Sequence, residues 1–61
     1  MRLKVKEFFK INNVLDVKAN TKELFIIVFC EGLEVKLYYN SISYLKHDLT
    51  FINKCRRGEF N

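Results

Sequence analysis

The seven apolar residues Leu24-Phe25-Ile26-Ile27-Val28-Phe29-Cys30 limit what this chain can fold into more than any other stretch. They are followed by Glu31-Gly32, a turn pair, and then by Leu33-Glu34-Val35-Lys36-Leu37-Tyr38-Tyr39, where apolar and polar residues alternate. This order reads as a β-hairpin whose first strand is apolar on both faces and whose second strand has one polar face. Successive side chains of a strand point to opposite sides, so the first strand needs cover on both. A chain of 61 residues has little material for two covers. Domains of this size bury only about 60% of their unfolded surface and are marginal alone. The mismatch points to a partner.

The turn decides which residues face outward. A two-residue loop at Glu31-Gly32 sets Val28 opposite Val35 and Ile26 opposite Leu37. Phe25, Ile27 and Phe29 then lie among Glu34, Lys36 and Tyr38. A three-residue loop, Cys30-Glu31-Gly32, inverts the set and sends Leu24, Ile26 and Val28 to the side of Glu34, Lys36 and Tyr38. A type I′ two-residue turn requires positive φ at both central positions, which Glu resists, whereas the longer loop requires it only of Gly32. The sequence therefore favours the second register. In it the partner-binding residues are Ile26, Val28 and Tyr38, with Glu34 and Lys36 as polar surroundings.

Around the hairpin, Arg2-Leu3-Lys4-Val5-Lys6 has period two and reads as a strand, broken at Phe8-Phe9 by a bulge. Asn12-Asn13 suits a tight turn. Val14 to Ala19 reads as another strand, with Leu15, Val17 and Ala19 on one face, and Asn20 to Glu23 as the next turn. After Tyr39 the period lengthens. Ile42, Leu45, Leu49 and Ile52 form a helical stripe, Asn40 or Ser41 can cap its start, and Gly58 ends it. With Asn40 as the cap, Tyr39 and Tyr44 would form a hydrophobic staple. The rival reading makes Ser41 to Leu45 a fifth strand, followed by a short helix capped by Asp48. The expectation is one small α+β domain: an antiparallel meander of about four strands and one C-terminal helix packed on one face.

Composition bounds the function. The chain is 49% hydrophobic and 15% aromatic, with no Pro and two Gly, which argues against disorder. Two cysteines do not make a disulfide scaffold. No secretory leader or membrane span is legible, so the expected location is the cytoplasm, with reduced thiols. The net charge is +4, with a mildly acidic hairpin between basic ends.

Little in the sequence points to chemistry. His47 is the single histidine, and Asp48 beside it faces elsewhere on a helix. Cys30, His47 and Cys55 do not have zinc-ligand spacing. No paired carboxylates, phosphate-binding glycine loop or nucleophile motif is visible. The chain reads as a non-enzyme without metal, cofactor or small-molecule ligand. Two functions remain. The first is a protein-interaction module that homodimerises, or binds and inhibits a cellular protein. Its Lys-, Asn-, Ile- and Phe-rich composition fits an AT-rich genome, such as that of a phage or mobile element. The second is a basic nucleic-acid-binding module using Arg2, Lys4, Lys6, Lys54, Arg56 and Arg57, with nearby aromatics for stacking.

Overall fold

The computed structural model describes residues 2–59. Their order is helix α1 (Leu3–Ile11), strands β1 (Val14–Asn20), β2 (Phe25–Cys30) and β3 (Leu33–Tyr38), and helix α2 (Ile42–Arg56). The strands form one antiparallel meander in the order β1-β2-β3. The class is α+β, with three strands rather than about four, and two helices rather than one.

The additional helix occupies the stretch expected to be the first strand. Leu3 and Val5 alone fit a period of two, but Val5, Phe8 and Phe9 stand three and four apart and make one helical stripe. Phe8-Phe9 is therefore two positions on a helix, with the rings in an edge contact at 5.4 Å, and not a bulge. A helix of nine residues is marginal by itself, and packing holds it. Phe9 is 1% exposed. At its end the Asn12 backbone N–H and side-chain Nδ2 both donate to the Phe8 carbonyl.

The hairpin takes the two-residue loop, which corrects the favoured register. Cys30 pairs with Leu33, Val28 with Val35 and Ile26 with Leu37. Gly32 adopts φ +81°, while Glu31 keeps a negative φ. A positive φ at the second central position alone is the type II arrangement, so Glu31 never meets the conformation it resists. The turn is also tied to β1. The Glu31 N–H donates to the Asn13 carbonyl at 3.1 Å, and Asn13 Nδ2 donates to the Glu31 carboxylate at 3.2 Å.

β1 carries a bulge between Val14 and Asp16. The extra residue shifts the alternation, so Val14 is buried and Leu15 is 61% exposed, the reverse of the period-two expectation. After β1, Asn20 Oδ1 accepts from the N–H groups of Lys22 and Glu23, closing the expected turn. Leu24 has φ +60°, and the strand starts one residue later than its apolar run.

The C-terminal stripe forms the long helix, and no fifth strand arises among the described residues. Ser41 caps it, its Oγ accepting from the Tyr44 N–H at 3.3 Å. Tyr44 is 70% exposed and forms no staple. Gly58 takes φ +75° beyond the last turn. Helix α2 lies over β1 and β2, and α1 lies beside it towards β3. Phe9, Ile26, Val28, Leu45 and Ile52 are fully buried between helices and sheet. Each such side chain contributes about 1.5–3 kcal/mol of transfer free energy.

Candidate functional site

Both helices sit on one side of the sheet, and among the described residues no element covers the other side. The pairings set nine side chains on it in three rows. Asp16, Phe29 and Glu34 form one row, Lys18, Ile27 and Lys36 the next, and Asn20, Phe25 and Tyr38 the third. The middle of each row comes from β2 and is large and apolar. The outer positions are polar or charged, apart from the Tyr38 ring, which is 72% exposed.

Phe25, Ile27 and Phe29 are half-buried, and lysines lean inward over the two phenylalanine rings. Lys36 Nζ lies 4.3 Å from the Phe25 ring centre and 5.2 Å from that of Tyr38, and Lys18 Nζ lies 5.8 Å from that of Phe29. A cation over an exposed ring is worth about 0.5–1 kcal/mol, and the lysine stem shields apolar surface while its head stays in water. The charges of the face, Asp16 and Glu34 against Lys18 and Lys36, cancel.

The register correction decides where the residues expected to bind a partner lie. Ile26 and Val28 are 0% exposed and belong to the core, so they offer nothing to a partner. Tyr38, Glu34 and Lys36 do stand on the open face. The residues this expectation lacks are Phe25, Ile27 and Phe29. The two-residue-loop register named them; both loops place Gly32 at positive φ, so the deciding point was that a type II turn asks only a negative φ of Glu31.

The residues of the nucleic-acid reading are not gathered on one surface. Lys6 and Lys54 meet in a groove of about 250 Å³ between the helices, with His47, Asp48, Thr50 and Phe51, and Lys6 Nζ is 5.5 Å from the Phe51 ring centre. Lys4 lines a different cleft, with Val5, Phe8 and Val35. Arg2 lies near Leu37 and Tyr39. Arg56 bonds the Asp16 carboxylate at 3.3 Å, and Arg57 bonds that of Glu59 at 2.7 Å.

The polar groups nearer the core have structural roles. Asp48 on α2 accepts the Tyr39 O–H at 2.8 Å, which fastens the end of β3 to the helix. Burial, and after it the Asp48 bond and charge, push the Tyr39 phenol well above its ordinary value. Cys30 and Cys55 are free and buried. Burial raises both thiols, and the Lys10 charge opposes the rise at Cys55. Among the described residues no three His, Cys, Asp or Glu side chains come together as a metal site would need, and no helix is long and apolar enough to cross a membrane.

Compared with protein-family models, curated proteins and solved structures, the chain has no significant match.

Proposed function

We propose that this chain is a small non-enzymatic protein-interaction module that binds a protein partner through the open face of its sheet and blocks the surface it covers. One observation carries the reading: the helices cover one side of the sheet, and the strand at the centre of the other side bears Phe25, Ile27 and Phe29. Protein interfaces favour such an aromatic and aliphatic centre inside a polar rim. The balanced charges of Asp16, Glu34, Lys18 and Lys36 suit a protein surface with the opposite charge pattern and give a polyanion no net attraction. The lysine stems over the rings keep the free face in water until the partner replaces them. Ile27, Phe29 and Phe25 are the anchors, with Tyr38 beside them.

The test is capture of partners from a native lysate by the tagged wild-type chain and by Ile27→Glu, with and without nuclease. The reading predicts a protein held by the wild type, lost with Ile27→Glu and unaffected by nuclease. A protein retained equally by both would contradict it.

The nucleic-acid reading rests on the groove where Lys6 and Lys54 flank His47 and Phe51. It predicts binding that weakens with salt at a slope near −0.9 per phosphate contact on duplex DNA. Capture that nuclease abolishes selects it over the first.

A further inference from the structure

We infer that two copies of this chain join through the free edge of β3 into a continuous six-stranded sheet. The inference uses the edge of the sheet, and so stands apart from the open-face reading.

The sheet has two edges, and they differ. β1 is interrupted by the bulge at Leu15, a device that turns an edge away from pairing. β3 pairs with β2 through six residues in unbroken register. The two-residue loop makes Cys30 and Leu33 a hydrogen-bonded pair, and such pairs alternate along an antiparallel ladder. The Tyr39 N–H donating to the Leu24 carbonyl at 2.9 Å continues that alternation beyond the strand. It follows that Leu33, Val35 and Leu37 direct their backbone groups to β2. Glu34, Lys36 and Tyr38 direct theirs outward, where no further strand follows among the described residues.

The sequence of this edge is self-complementary. Run antiparallel to itself about Val35, Leu33-Glu34-Val35-Lys36-Leu37 sets Glu34 opposite Lys36 of the second copy, and Lys36 opposite its Glu34. Leu33 faces Leu37. Each Glu–Lys position is a hydrogen-bonded pair and Val35 meets Val35 as a non-hydrogen-bonded pair, which is what ladder alternation requires about a two-fold axis. A second copy reverses neither the charge match nor the face on which each residue stands.

The inner side of the edge also lacks cover. Leu33 is 39% exposed, and Val35 and Leu37 open into an apolar cleft of about 250 Å³ whose other wall is Val5, Phe8 and Phe9 of α1. Phe8 is 37% exposed there. The second copy brings Leu33, Val35, Leu37 and Phe8 to the same place, so the two clefts face one another across the axis.

Sedimentation over a concentration series, with amide exchange at Glu34 and Lys36, tests the inference. It predicts a mass rising to twice that of the chain, with both amides protected only as the dimer forms. Lys36→Glu sets Glu against Glu at both pairs and should weaken the dimer about tenfold, by cross-strand charge effects. The double change Glu34→Lys with Lys36→Glu should restore it. Circular dichroism confirms that each variant is folded. A constant monomer mass, a dimer whose Glu34 and Lys36 amides stay unprotected, or a dimer indifferent to Lys36→Glu would each overturn the inference. Ile27→Glu should leave the dimer intact; a dimer lost with Ile27→Glu would move the contact to the open face and overturn the edge.

Discussion

Adjacent residues on β2 have opposite fates: Ile26 is sealed in the core and Ile27 stands among lysines on the open side. Their chemistry is identical, so only the turn that sets the register separates them. Another pair of neighbours divides in the same way. Tyr38 lies on the open face, while Tyr39 donates its O–H to Asp48. Replacing Tyr39 with Phe removes a bond to a charged acceptor and should cost about 1.5–3 kcal/mol at neutral pH, read by urea unfolding. The pH dependence has a definite sign. The folded phenol holds its proton above the ordinary range near 10, while the unfolded one releases it there. Tyr39's contribution is therefore full below about pH 10 and falls as pH rises beyond it. The stability difference between wild type and Tyr39→Phe should shrink on the alkaline side; a constant difference would contradict this account.

At the scale of elements, legibility followed length and the number of stripe positions. Helix α2 was readable because Ile42, Leu45, Leu49 and Ile52 repeat over three turns, and Ser41 marks its start. Helix α1 was not, because Leu3 and Val5 satisfy period two and the deciding pair, Phe8 and Phe9, also fits a bulge. The bulge at Leu15 has no sequence signal, since Val14 and Leu15 are both apolar. The hairpin was plain, but both loop lengths need Gly32 at positive φ, so its register rested on Glu31. Gly32 at +81° has open space where a Cβ would stand, so substitution strains only the backbone. Gly32→Ala should lower stability by about 1–2 kcal/mol without slipping the register. Urea unfolding together with the exchange pattern of β2 checks this. A loss near zero would mean that the turn has another geometry.

For the whole molecule, the one-residue difference in loop length decided which apolar set was sealed and which was presented. The architecture then follows economically: α2 and α1 share the task of covering Ile26 and Val28, and among the described residues no helix covers Phe25, Ile27 and Phe29, where Lys18 lies over Phe29 and Lys36 over Phe25. Pairing at the β3 edge would place two open faces on the same side of one sheet, so a dimer would present two adjoining copies of the proposed docking surface. The chain's shortage of cover, visible in its length and in the run from Leu24 to Cys30, is thus met on one side by helices, and on the other side the proposed partner would meet it.

The most direct measurement sets Ile26→Glu beside Ile27→Glu and follows thermal unfolding of each by circular dichroism. A carboxylate at position 26 would be buried without a partner and should abolish folding, whereas at position 27 it meets water and two lysines and should leave the transition within a few degrees of the wild type. Loss of the fold in both variants would show that Ile27 is also core, and would contradict the open face on which this account stands.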